Sequence, residues 1–166
     1  MSREMRRLIV AVMVGAMTLA FAAVAHATSP HFISASAAVD NNGNLTATFK
    51  EAGLGNGATT AGITLSADAT AEYQCFNNGG NHPKAGNKET VSGPVSSSDT
   101  FDVRNGSTHG SITVGPPGPG TFTCPSGQRL HLISVTYTNV KLTDTSVTPN
   151  DVASIPGTFS SGTLFP

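Results

Sequence analysis

Tryptophan is absent from the sequence, and charged side chains make up only 11% of its 166 residues. With no Trp and two Tyr, the chain offers few of the flat aromatic surfaces on which binding proteins stack sugar rings, which disfavours a polysaccharide-binding role. All four Met fall within the first 17 residues. The rest of the chain is rich in Thr, Ser, Gly, Asn and Pro, a composition that argues against a helical bundle, which needs Ala, Leu, Glu and Lys.

Positive charge is also scarce. Without its first 27 residues the chain keeps six Lys and Arg and nine Asp and Glu, a net charge of −3. Nucleic-acid binding depends on neutralising phosphates with Lys and Arg, so this balance argues against a nucleic-acid partner.

The N-terminus has the three parts of a signal peptide. Arg3, Arg6 and Arg7 form a basic head, an apolar run follows from Leu8 to Ala25, and Ala25-His26-Ala27 supplies a cleavage site with small residues. The sequence therefore predicts a signal peptide over residues 1–27, a secreted mature chain and no membrane association after cleavage. The alternative is an uncleaved anchor, because the run is close to the length that spans a bilayer.

Export changes the interpretation of the two cysteines. Cys75 and Cys124 are the only pair, and an oxidising compartment favours a disulfide between them. Closing a loop of this length contributes roughly 4 kcal/mol in the chain-entropy model. Two free thiols or a metal site are the alternatives, although no further Cys or His lies at metal-ligand spacing.

Alternation of apolar and polar residues predicts strands along the mature chain. Two alternating runs flank Asn42-Gly43, which predicts a hairpin. A long run over 63–75 alternates without a fault, and a turn near Asp68 is an alternative to one strand. Further strands are expected around Val91, around Phe101 and Val103, around Ile112 and Val114 after an Asn105-Gly106 turn, from Phe122 and Cys124, and over 129–142 with a kink near Asn139.

The strand pattern indicates one domain over 28–166. Several short strands and one disulfide are typical of an all-β fold, a single antiparallel β-sandwich of immunoglobulin-like architecture. The Gly- and Pro-rich run 115–120 predicts a stiff loop. The tail from about residue 143 is expected to be irregular, with one short strand near Phe159.

Two short motifs carry a resemblance. Cys75 is followed by Asn77, Gly79-Gly80, Pro83 and Asn87-Lys88, and Cys124 begins the run Cys124-Pro125-Ser126-Gly127-Gln128. With these motifs, the whole mature chain resembles a group of uncharacterised small secreted proteins of actinomycete type. The resemblance implies export and a disulfide, and it implies no activity and no catalytic residues.

Patterns for metal binding and catalysis are weak. Asp40, Asn42, Asn44 and Glu51 match four positions of a calcium-binding loop, but Leu45 replaces its Gly and the flanking residues alternate as strands, so a hairpin turn is favoured. No two of His31, His82, His109 and His131 lie at short metal-ligand spacing. His131 alternates with two Leu and is expected to face solvent. No nucleophile elbow of the form G-x-S-x-G is present, and we expect no cofactor and no metal.

The segment between Asn77 and Lys88 is the candidate binding loop. It directly follows Cys75, so one end is fixed, and loops on a rigid sandwich are common binding sites. An ordinary connection whose amides satisfy their own backbone is the alternative. The candidate residues, which offer amide, imidazole and ammonium groups, are Asn77, Asn81, His82, Lys84, Asn87 and Lys88.

Two classes of function follow. The first is a secreted non-catalytic module that binds an extracellular protein or an anionic surface ligand, or that has a structural role. The second is a small secreted hydrolytic enzyme, since Ser, His and Asp are plentiful.

Export predicts a defined N-terminus. If a signal peptidase cleaves after Ala27, N-terminal sequencing of secreted protein should read Thr28-Ser29-Pro30. An intact Met1 on the soluble protein would contradict the prediction.

Overall fold

Eight β-strands form the regular structure of the part of the chain that the structure describes. A computed structural model describes residues 29–77 and 87–165, so the predicted signal peptide lies outside the described residues. The strands are β1 (His31–Val39), β2 (Leu45–Ala52), β3 (Thr60–Asn77), β4 (Lys88–Asp102), β5 (Ser107–Val114), β6 (Gln128–Asp144), β7 (Asp151–Ile155) and β8 (Phe159–Ser160). No α-helix occurs among the described residues.

The strands form two antiparallel sheets that pack face to face. The first sheet has the order β1-β2-β5, and the second has the order β4-β3-β6-β7, with β8 paired to β6. One continuous core of buried side chains draws on both sheets. The expected fold class, an antiparallel β-sandwich with one disulfide, is confirmed.

Side-chain parity decides which face of each strand is buried. In β2, Leu45, Ala47 and Phe49 are buried, whereas Thr48 and Lys50, which have the opposite parity to Phe49, are exposed. The same period of two runs through β3 and β6, because successive side chains of a strand point to opposite faces. Each fully buried Leu, Ile or Val contributes about 1.5–3 kcal/mol relative to an exposed one.

Strand β3 is one continuous strand of 18 residues, so the alternative of a turn near Asp68 is wrong. Its pairing with β4 runs without a register shift. The pairing of β3 with β6 has two register shifts, one between Glu72 and Tyr73 and one between Ser66 and Asp68, opposite Asn139 of β6. Asn139 has a φ of 53° and donates from Nδ2 to Asp68 Oδ2 at 2.7 Å, which confirms the predicted kink.

The two buried tyrosines donate hydrogen bonds from the core to backbone carbonyl groups of loops at its edge. Tyr137 Oη donates to Gly43 O in the β1–β2 turn at 2.6 Å, and Tyr73 Oη donates to Pro117 O at 2.7 Å. Burial raises the pKa of Tyr137 to about 12, helped by the charge of Asp40 and by Tyr73. Each phenol therefore satisfies its polar group and fixes a loop at the same time.

Three expected strand boundaries are wrong. The strands expected around Val91 and around Phe101 are one strand, β4, and Val103 follows its end. Phe122 and Cys124 belong to no strand, and β6 begins only at Gln128. Prolines in 115–127 lack the N–H groups that a sheet requires. Phe122 nevertheless packs against the core.

The C-terminal tail is more regular than expected. Strand β7 pairs with the end of β6 and was not predicted, whereas β8 coincides with the short strand expected near Phe159. Beyond β8, Ser161 N and Leu164 N donate to the carbonyl oxygens of Val135 and Ile133. These bonds hold the tail along β6 almost to the end of the described chain.

A glycine in β5 lets an aromatic ring approach the backbone closely. A Cβ on Gly110 would overlap the ring of Phe101, which packs edge-to-face on Phe49 with centroids 4.9 Å apart. The substitution Gly110→Ala should lower the free energy of unfolding by about 1–3 kcal/mol, because the ring must move. Urea denaturation measures the change.

Gly93 in β4 provides the matched control. A Cβ at Gly93 meets nothing within 4 Å, so Gly93→Ala should leave the free energy of unfolding within about 0.5 kcal/mol of the parent value. Equal losses in the two variants would show that the ring contact is not the cause.

Candidate functional site

The disulfide joins the end of the longest strand to a segment without strands. Cys75 is buried near the end of β3 and is bonded to Cys124, with a Cα–Cα distance of 5.6 Å and a sequence separation of 49. The predicted bond is therefore confirmed. Cys124 is half-buried in 115–127 rather than inward on a strand, so the bond fixes a loop to the second sheet.

A chain of amide hydrogen bonds fixes both ends of the candidate binding loop. Gln128, the first residue of β6, donates from Nε2 to Asn77 Oδ1 at 3.0 Å and accepts from Asn87 Nδ2 at 3.0 Å. Asn77 ends β3 and Asn87 directly precedes β4. The two ends of segment 78–86 therefore meet at one side chain, which we call the Gln128 clamp.

The structure describes only some of the residues of the candidate binding loop. Asn81, His82 and Lys84 lie outside the described residues. Asn77 and Asn87 belong to the Gln128 clamp, and Lys88 is exposed at the start of β4. Nearby, a shallow surface depression of about 700 Å³ lies between residues 89–92 of β4 and residues 119–123. The described residues around the disulfide, which we call the disulfide end of the molecule, therefore form a fixed border of the candidate loop and carry the exposed ammonium group of Lys88.

His131 does not face solvent as expected. Its ring stacks on Phe165 with centroids 3.8 Å apart, and Phe76 packs edge-on against both rings. The C-terminal tail provides Phe165, a contact that local alternation around His131 does not reveal. The stack accounts for the half-burial of His131.

The calcium-loop pattern is a hairpin turn, as favoured from the sequence. Asp40 accepts hydrogen bonds from the backbone N–H groups of Asn42 and Asn44 and from the Asn44 amide. Chiefly the backbone bond from Asn44 lowers the pKa of Asp40 below its ordinary value. Gly43 takes a φ of 84°, which the tight turn requires. Glu51 takes no part in the turn and points into the core.

Three acidic side chains meet between the sheets, a feature that the sequence analysis missed. Glu51 of β2 and Asp144 of β6 are both 0% exposed, and Asp151 of β7 is half-buried and paired in register with Asp144. We call these residues the inter-sheet carboxyl cluster. Parity is the signal that could have found it, since Glu51 continues the buried phase of Phe49 and Asp144 continues that of Leu142.

The inter-sheet carboxyl cluster has too few hydrogen-bond donors. Ser146 donates from N and Oγ to Asp144 Oδ1. Asp144 Oδ2, Asp151 Oδ2 and both carboxyl oxygens of Glu51 are buried without a donor. Burial, with smaller effects from Asp144 and Asp151, raises the pKa of Glu51 to about 8. Glu51 is therefore largely protonated at neutral pH.

Neither catalysis nor metal binding fits this cluster as it stands. A substrate cannot reach Glu51 or Asp144, and only Asp151 lines a surface pocket, of about 510 Å³. Among residues 29–77 and 87–165, no group of three or more His, Cys, Asp or Glu side chains is placed to hold a metal ion. In the same residues, no helix has the length and hydropathy of a membrane span.

Comparisons of the chain with protein-family models, with curated proteins and with solved structures found no match. The resemblance to small secreted proteins of actinomycete type therefore stays a prediction. The function has to be argued from the residues and the geometry.

Proposed function

We propose that the protein is a secreted, non-catalytic β-sandwich that binds an extracellular partner through the surface around the Gln128 clamp. The binding surface comprises segment 78–86, Asn87, Lys88 and the neighbouring depression of β4. The observation that carries the proposal is the double fixation of the loop ends, by a disulfide at Cys75 and by the amide bonds of Gln128.

The proposed export rests on two independent features. The first 27 residues combine a basic head, an apolar run and a small-residue cleavage site. The bond between Cys75 and Cys124 is of the kind that persists in oxidising compartments. A chain kept in a reducing cytosol would gain nothing from a disulfide that holds a loop.

Fixed loop ends favour binding because they lower the entropy lost when a partner orders the loop. A segment whose two ends are both held explores fewer conformations than one whose ends are free to move apart. Less ordering remains to be done on association, so more of the contact energy appears as affinity.

The charge of the loop favours an anionic partner. Lys84 and Lys88 are two of six basic residues in a mature chain of net charge −3. Exposed strand residues offer mainly hydroxyl groups that bond to each other across strands, such as Thr64 with Ser98 and Thr70 with Ser92. Hydroxyl groups of this kind seldom anchor an interface. An extracellular protein with an acidic surface, or an anionic cell-surface polymer, fits best.

The alternative of a small secreted hydrolase has less support. Among the described residues, Glu51 and Asp144 lie near each other but are fully buried, so a substrate cannot reach them. Turnover of any substrate in a broad hydrolase panel, with no partner found by capture, would favour the enzyme instead.

The test starts from a partner captured by the tagged mature chain from culture supernatant and identified by mass spectrometry. Replacing Asn81, His82, Lys84 and Lys88 together with Ala or Ser should weaken its binding at least about tenfold, a loss of about 1.4 kcal/mol. The melting temperature should not change. Unchanged affinity at an unchanged melting temperature would show that the loop is only a connection.

Two further variants separate charge from rigidity. Lys50 and Lys141 are exposed lysines on strand faces, so replacing both with Ser removes the same charge and should leave the affinity unchanged. Gln128→Ala removes the clamp and keeps every proposed contact residue. It should weaken binding less than the fourfold replacement does, because it raises only the cost of ordering the loop.

A further inference from the structure

Among the described residues, no cation acts on Glu51 in the inter-sheet carboxyl cluster. Glu51 faces Asp144 from β6 and Asp151 from β7, and every influence on its pKa is either burial or one of these acids. The residues paired with Glu51 on β1 and β5, Phe32 and Thr108, are uncharged. Thr108 Oγ donates to Asp102 O and not to the cluster. Three ionised carboxylates here would combine burial, mutual repulsion and missing donors, each of which is costly.

A single proton on Glu51 removes one buried negative charge and adds one hydrogen-bond donor to the cluster. An ionised carboxylate only accepts hydrogen bonds, whereas a protonated carboxyl group also donates one. Asp144 Oδ1 is already bonded to Ser146, and Asp144 Oδ2 lacks a donor. A protonated Glu51 can supply that donor, because Asp144 acts directly on the Glu51 carboxyl group and helps to raise its pKa, and because Leu54, which follows β2, lines the same pocket as Ser146 and Asp151. The resulting bond links the first sheet to the second.

We propose that a proton shared between Glu51 and Asp144 holds the two sheets together at this end of the sandwich, and that its loss in alkaline solution loosens the β6–β7 connection. The connection, residues 145–150, begins beside Asp144 and ends at Asp151, so repulsion within the cluster acts on both of its ends. Its residues 146–150 line a surface pocket with Ser29, Pro30 and Leu54. This pocket widens when the contact is lost.

The direction of the pH effect follows from linkage. The folded chain keeps a proton on Glu51 up to about pH 8, whereas the unfolded chain releases it near the ordinary value of 4.5. Between these pH values the folded state binds more protons, so the stability falls as the pH rises and then levels off. The stabilising contribution is complete in acid and absent above the folded pKa.

The experiment compares melting temperatures of the wild-type chain, Glu51→Gln and Glu89→Gln at about pH 5 and about pH 9. Glu51→Gln keeps the shape and a donor but cannot ionise. It should melt within about 2 °C of wild type in acid and at least about 5 °C above it in alkali. Glu89 is an exposed carboxyl group on β4, so Glu89→Gln should follow the wild type at both pH values.

A constant difference between Glu51→Gln and wild type at all pH values would overturn the proposal. A ¹³C-carboxyl NMR titration of the wild-type chain needs no variant and decides the case even if Glu51→Gln does not fold. A midpoint near 8 for Glu51 supports the shared proton, and an ordinary midpoint near 4.5 refutes it. Millimolar Ca²⁺ that raised the alkaline melting temperature of wild type and not of Glu51→Gln would show a cation site instead, and would also overturn the proposal.

Hydrogen exchange locates the change. Amides of residues 145–151 should exchange faster in alkali than in acid after correction for the intrinsic pH dependence, and the difference should vanish in Glu51→Gln. A loss of protection spread evenly over all strands would contradict a local loosening.

Discussion

The covalent bond between Cys75 and Cys124 is the constraint on which the disulfide end of the molecule depends. Segment 115–127 forms no strand, and its prolines lack the N–H groups that could hold it to a sheet. The disulfide, the hydrogen bond from Tyr73 to Pro117 O and the packing of Phe122 hold it instead. Gln128 follows this segment directly, so its position as a clamp between Asn77 and Asn87 follows from the same bond. A loop that is fixed in this way is suited to recognition.

The inter-sheet carboxyl cluster follows a different physical rule. There Glu51 lies buried near Asp144 and Asp151, and burial and these neighbours raise the pKa of Glu51. A disulfide holds its partners whatever the pH, whereas a carboxyl pair holds them only while it keeps its proton. On our proposal, the sandwich is therefore held at one place by a covalent bond that does not depend on pH and at another by a carboxyl contact that does.

Local alternation was sufficient to predict most of the fold. The parity of Ile63, Leu65 and Ala71 predicts the buried face of β3, and Asn105-Gly106 predicts a turn in which both residues have positive φ. What it could not predict depends on pairing partners distant in sequence. A break near Asp68 looked plausible because the region is rich in Ala, but the irregularity is taken up in β6 at Asn139, 71 residues away. Strand β7 is short, and only its pairing with β6 defines it.

In the candidate sites, too, the features set by local sequence were predictable and those set by distant residues were not. The disulfide and the fixed start of the candidate binding loop were predictable, because two cysteines in a chain whose N-terminus predicts export leave one pairing. The second fixed point, Gln128, was not, because it lies 51 residues from Asn77 and 41 from Asn87. In sequence Glu51 matches only the last position of a calcium-loop pattern, although its phase with Leu45, Ala47 and Phe49 places it inside. An acid in the buried phase of an apolar strand should be treated as a candidate for an unusual site.

The most direct test of the account is the removal of the covalent closure. Replacing Cys75 and Cys124 together with Ser or Ala should lower the free energy of unfolding by roughly 2–5 kcal/mol. It should also raise amide exchange in 115–127 and at Asn77, Asn87 and Gln128 more than in β1 and β2, since within the first sheet only the end of β5 adjoins the released segment. Unchanged stability, or equal loss of protection in the first sheet and at the clamp, would contradict the central role given to this bond.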